Sequence, residues 1–248
     1  MGKTRALERI ADAYGNRAPR VLIDLEGPRY SDAKTGRGQA LISIFSDLMR
    51  ELEQLVRLTR VRLRFPRLSV ALLAITIWPE NEPDLTREEA VNRLRAVRAQ
   101  AERMGPAHKS WVNDWIRDVG LDLSDKISSF PAKVFVKACI RAFAAVTLSK
   151  PNRNAPITWH EQFDPRAPGD GYEALNNVSR DFHVGGSYRD HAEEVLIAAF
   201  LADLNAGYQG WSGLRRAAHP LVMLDNVCAA PAGLRFLQLV LGNQWAAR

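Results

Sequence analysis

The stretch His219-Pro220-Leu221-Val222-Met223-Leu224-Asp225-Asn226 decides how the rest of the chain is read. A short apolar run ends abruptly in a carboxylate. Pro231-Ala232-Gly233-Leu234-Arg235-Phe236-Leu237 follows as a turn and a helix. A buried parallel strand delivers an acid to the carboxyl edge of a sheet in this way, and ligands bind at that edge in open α/β folds. The plainer reading is a core strand ended by a solvated Asp, and a short apolar run does not by itself separate strand from helix.

The first residues add weight to the first reading. Gly2-Lys3-Thr4 opens a helix carrying Ala6, Leu7, Ile10, Ala11 and Tyr14, which closes at Gly15. Arg20-Val21-Leu22-Ile23-Asp24-Leu25-Glu26 then reads as a strand. Gly-Lys-Thr entering a helix is the last third of the phosphate-binding pattern G-x-x-x-x-G-K-[ST]. In that pattern the Lys reaches the β/γ-phosphates, the Thr hydroxyl holds Mg²⁺, and the helix N-terminus adds partial positive charge. A lone Gly-Lys-Thr is a weak signal. The order of Gly-Lys-Thr, helix, strand and a much later strand ending in Asp is more specific.

On these residues the chain resembles the P-loop ATPases of actinobacteria related to the signal-transducing (STAND) and AAA+ ATPases. Gly2-Lys3-Thr4, Val21 to Glu26, Leu63-Arg64-Phe65-Pro66-Arg67, Ala198 to Leu204, and Val222 to Asn226 with Pro231-Ala232-Gly233 carry the resemblance. It implies ATP and Mg²⁺ as cofactors, with Gly2, Lys3 and Thr4 on phosphate. It also implies Thr4 and Asp225 on the metal, Asp225 through water. Many such ATPases have Glu directly after the Asp, whereas this chain has Asn226. Asn lacks a basic carboxylate but positions a water, so weak, switch-like hydrolysis is expected.

The chain departs from the pattern at both ends. Met1 stands just before Gly-Lys-Thr, so the preceding strand and the earlier loop glycine are absent. The sequence also stops one helix after Asp225. The expectation is an ATPase truncated at both ends, with many phosphate-cradling N–H groups in the missing part. The expected fold is α/β and helix-dominated: an incomplete P-loop NTPase-like parallel sheet with a large helical region between its strands. Residues 1–38 would start the NTPase core, 39–206 would form the helical region, and 207–248 would hold the second-motif strand and its helix. Val21–Glu26 and Leu221–Asp225 are expected side by side.

Composition fits this frame. The 248 residues suffice for one large or two small domains, and 46% hydrophobic with 25% charged content is ordinary for a globular protein. Cys139 and Cys228 give neither a disulfide framework nor metal spacing, and are expected as buried free thiols in a reducing cytoplasm. The run Leu68 to Trp78 is shorter than the roughly 20 residues a bilayer span needs, so no membrane partner is expected. The net charge of +6 admits polyanions. Arg57, Arg60, Arg62, Arg64 and Arg67 are the densest basic patch, but Phe65 is the only aromatic residue among them. Nucleic acid is therefore less favoured than a protein partner or self-association.

Between the strands the pattern is helical. Gly27 to Gly38 reads as a loop, and Gln39 to Thr59 is the clearest helix. Pro66 starts another helix in its first turn. Thr86-Arg87-Glu88-Glu89 is a capping box for a helix to about Met104. Trp111 and Trp115 suggest a short helix, and Ser128 or Ser129 caps one near Pro131. Trp159-His160-Glu161 lacks the partners of a metal motif and reads as structural. Tyr172 to Phe182 reads as a helix and Gly185-Gly186 as a turn. Ser187 to Asp190 reads as a second capping box, with a Gly-rich loop at Gly207, Gly210 and Gly213. The five histidines match no ligand spacing, and no G-x-S-x-G is present. The alternative to an ATPase is a helical interaction or scaffold module without nucleotide chemistry.

Overall fold

The computed structural model describes residues 3–14, 19–31, 37–53, 63–77, parts of 88–99, 154–166, 169–209 and 219–246. The elements are α1 (Lys3–Tyr14), β1 (Arg20–Asp24), α2 (Arg37–Glu53), α3 (Pro66–Ile77), α4 (Ala155–Thr158), α5 (Gly171–Val184), α6 (Gly186–Tyr208), β2 (Leu221–Asp225) and α7 (Pro231–Ala246). The described residues are helix-dominated, with one two-stranded sheet. The chain divides into two compact units, Met1–Arg64 with Leu201–Arg248, and Phe65–Phe200. α2 belongs to the unit that holds the sheet.

The early and late strands pair in parallel, as expected, in register from Arg20 opposite Leu221 to Asp24 opposite Asp225. The Leu221 N–H to the Pro19 carbonyl (2.8 Å) and the Leu25 N–H to the Asp225 carbonyl (3.2 Å) extend the ladder. β1 stops at Asp24 rather than at the expected Glu26, because the Asp24 carboxylate accepts the Glu26 N–H at 3.0 Å and turns the chain.

Period-two alternation sets the faces of β1. Val21, Ile23 and Leu25 are buried, while Leu22, Asp24 and Glu26 are exposed. α2 packs on β1 and α7 through an apolar stripe that includes Leu41, Ile44, Phe45 and Leu48. Phe45 meets the Phe236 ring edge-on at 5.6 Å. The Tyr30 hydroxyl donates to Asp47 at 2.5 Å, and Arg50 holds the other Asp47 oxygen at 3.1 Å. This network ties the turn after β1 to α2. At Gly233 an added Cβ would lie 2.6 Å from Leu25 Cδ1, so glycine lets α7 start against the end of β1.

In the second unit, Pro66 opens α3, whose missing N–H needs no partner there, and the Ser69 N–H bonds the Phe65 carbonyl at 2.9 Å. α3 is apolar on most sides and lies against α5. Ser179 Oγ donates to the Ala74 carbonyl at 3.0 Å. Asp170 caps α5 by accepting the Tyr172 and Glu173 N–H groups at 3.0 and 3.2 Å.

Several boundaries differ from expectation. α5 covers Gly171–Val184, and Gly185, at φ 85°, breaks the chain. α6 begins at Gly186, so Ser187 lies inside the helix and cannot act as its cap. Gly207 falls within α6 and Gly38 within α2, leaving shorter loops than the glycine spacing suggested. Cys228 is exposed rather than buried, because it sits on the turn after β2. Arg57, Arg60, Arg62, Thr86, Trp111, Trp115, Ser128, Ser129, Cys139, Gly210 and Gly213 lie outside the described residues.

Candidate functional site at the carboxyl edge of the sheet

Parallel pairing brings the ends of both strands to one edge. There Asp24 and Asp225 are register partners, and Glu26 and Asn226 follow them. Asn226 adopts the left-handed conformation (φ 52°, ψ 36°), which a short polar side chain tolerates better than most. Its amide nitrogen donates to Asp24 Oδ1 at 2.9 Å and to Glu26 Oε2 at 3.3 Å. The two carboxylates fix the orientation of that amide, since only its NH₂ end can face them. The backbone N–H of Asn226 donates to Asp225 Oδ1 at 2.9 Å.

The two aspartates are held alike. One oxygen of each accepts fixed N–H donors. Asp24 Oδ2 has no hydrogen bond among the described residues, and neither has Asp225 Oδ2, which is buried. Asp225 as a whole is 7% exposed. The Asn226 amide, and then the Glu26 N–H, hold the Asp24 carboxyl below the usual carboxylate range. Among the described residues no Lys or Arg forms an ion pair with Asp24, Glu26 or Asp225.

Lys3 and Thr4 are exposed in the first turn of α1, which lies against both strands. Asp12, near its other end, stands 3.9 Å from Arg20 at the start of β1. A 12-residue helix spans about 18 Å, close to the roughly 16 Å of a five-residue strand. The Asp12–Arg20 contact places the C-terminal part of α1 at the start of β1. Gly2 lies outside the described residues.

Of the residues singled out in the sequence, Asp225 and Asn226 meet at this edge. Asn226 has both amide donors committed to Asp24 and Glu26, so only its carbonyl oxygen is left to orient a water. Asp24 and Glu26 were missed as site residues. Their signal was the spacing Asp24-Leu25-Glu26, which puts two acids on one side of an extended end.

His160 has the structural role expected of it. It is fully buried, with Nε2 3.1 Å from the Arg67 carbonyl, and burial pushes its pKa down to about 4. Arg67, from the basic patch, lies over the Trp159 ring at 5.7 Å.

Among the described residues, no group of three or more His, Cys, Asp or Glu side chains is arranged to hold a metal by itself. No described helix is long and apolar enough to cross a membrane. No family model, curated protein or solved structure matches the chain.

Proposed function

We propose that this chain carries an ATP site of the P-loop, STAND/AAA+-like kind, with weak or switch-like hydrolysis at most. The observation that carries the reading is the buried Asp225 carboxylate at the end of a parallel pair, with one oxygen unbonded and no ion-pair partner among the described residues. Lys3 contacts phosphate, and Thr4 and Asp225 hold Mg²⁺, Asp225 through water. Mg²⁺ supplies charge neutralisation between the phosphate oxygens when bound. It commonly takes one or two carboxylates and keeps several waters.

The test is a titration with a fluorescent ATP analogue, with and without Mg²⁺. Binding should strengthen with Mg²⁺, and Lys3→Ala should weaken it about tenfold or more, as loss of a charge-assisted bond predicts. Equal affinity in wild type and Lys3→Ala would overturn the proposal.

A second reading, a helical interaction module, is favoured by one observation. Leu234, Leu237 and Leu241 are 41, 40 and 49% exposed and lie on one side of α7. If no analogue binds and the chain self-associates in sedimentation, with Leu237→Glu abolishing the association, this second reading replaces the first.

A further inference from the structure

We infer that Asp24 supplies the carboxylate that position 226 lacks, and that Asn226 is its positioning residue; this rests on the nucleotide reading above. Hydrolysis needs a group that orients or deprotonates water, and Asn226 cannot take a proton at neutral pH. The adjoining strand carries a carboxylate at the same level. Asp24 is the register partner of Asp225, one strand spacing of about 4.8 Å away.

The hold on Asp24 is specific. Two N–H donors, the Asn226 amide at 2.9 Å and the Glu26 backbone at 3.0 Å, grip Oδ1. Oδ2 has no hydrogen bond among the described residues. One oxygen is thus anchored and the other presented, as a base on a rigid element requires. The left-handed turn at Asn226 lets its side chain cross to β1. Glu26 shares the same amide at the longer distance of 3.3 Å and lies in the turn beyond the strand.

The step balances. Water oxygen forms a bond to the γ-phosphorus while Asp24 Oδ2 takes its proton. The bond from that phosphorus to the β–γ bridging oxygen breaks, and ADP leaves with the electron pair. The proton then passes to phosphate or solvent.

The experiment measures phosphate release, ATP-analogue affinity and thermal unfolding for wild type, Asp24→Asn and the exchange pair Asp24→Asn with Asn226→Asp. Asp24→Asn should lower kcat by about 10²-fold or more, the usual range for loss of an acid–base group, with analogue affinity unchanged and a cooperative unfolding transition retained. The exchange pair returns a carboxylate and an amide to the same two strand ends and should recover about tenfold over Asp24→Asn. Unchanged kcat in Asp24→Asn would overturn the inference, as would a matching loss in Glu26→Gln without one in Asp24→Asn. Analogue binding with no phosphate release by wild type would overturn it while leaving the nucleotide reading intact. Failure of wild type to bind the analogue would overturn both.

Discussion

The sheet edge and the helical unit both hold aspartates, and they treat them in opposite ways. In the helical unit Asp164 and Asp181 are each 2% exposed, and Arg166 bonds both at 2.8 Å. The Arg166 backbone N–H adds a bond to Asp164 at 3.0 Å. The charge is settled inside the protein. At the sheet edge Asp225 is buried nearly as deeply, yet among the described residues it receives only a backbone N–H, and Asp24 only an amide and a backbone N–H. Neutral donors fix geometry without cancelling charge. A chain with a net charge of +6 has cations to spare and places none of its described ones in an ion pair here. The Asp164 and Asp181 carboxylates are paired with Arg166, whereas Asp24 and Asp225 have no ion-pair partner among the described residues.

The sharpest way to break this comparison is Arg166→Met. It leaves Asp164 buried without its cation and Asp181 with only the longer Arg180 contact at 3.6 Å, and loss of one partner from a buried pair typically costs about 3–5 kcal/mol. The Arg166 side chain is 42% exposed, which puts the expected loss near the lower end, about 3 kcal/mol. Urea unfolding measures it. A loss below about 1 kcal/mol would mean the pairing is no more than a surface ion pair, and the contrast with Asp225 would fail.

The next effect is read in pH. His160 is fully buried and its pKa falls from 6.5 to about 4, chiefly through burial. The fold therefore prefers the neutral ring, and the unfolded chain binds the proton first. The contribution is fully present above pH 6.5 and is lost as pH falls through about 4. The total is on the order of 3 kcal/mol. Urea midpoints between pH 7 and pH 4 should fall in wild type and fall less in His160→Gln, whose amide can still donate to the Arg67 carbonyl. Asp24 and Asp164, both lowered from 3.8, act below this window. Equal slopes in both proteins would show that His160 is not held neutral.

The strand ending in Asp225, the helix opened by Pro66 and the pairing of two strands far apart in sequence were legible because each rests on a local physical rule. Apolar run length, the missing N–H of proline and the burial of parallel strands are visible without a partner. The part played by Asp24 was not, since it depends on Asn226, and their meeting is a matter of register. The Ser187 capping box failed for the opposite reason. Its local pattern was correct, but Gly185 and Gly186 turn the chain at positive φ and the helix starts at Gly186, two residues before the start that a Ser187 cap implies. Nothing in residues 157 and 171 announces that an added Cβ on Gly171 would sit 2.5 Å from the Ile157 carbonyl oxygen. Close approach of two backbones is written in space and not in sequence.

The smallest effect on stability tests the sheet edge most directly. Asn226→Gly removes the amide from Asp24 and Glu26 but relieves the left-handed backbone at φ 52°. These hydrogen bonds are exposed, so the change at pH 7 should stay within about 1 kcal/mol. The Asp24 carboxyl should move in the other register, upward toward its ordinary value, because its largest lowering influence is gone. Carbon-detected NMR titration of the carboxyl reads this directly. The sign follows from linkage: a lowered folded pKa gives stability above the unfolded value of 3.8 that is lost as pH falls, so the variant should lose less stability on acidification than wild type. An unmoved Asp24 titration would mean that the Glu26 N–H alone governs the carboxyl. Asn226 would then be only a turn residue, and the sheet edge would differ from the helical unit in charge pairing but not in the positioning of its acid.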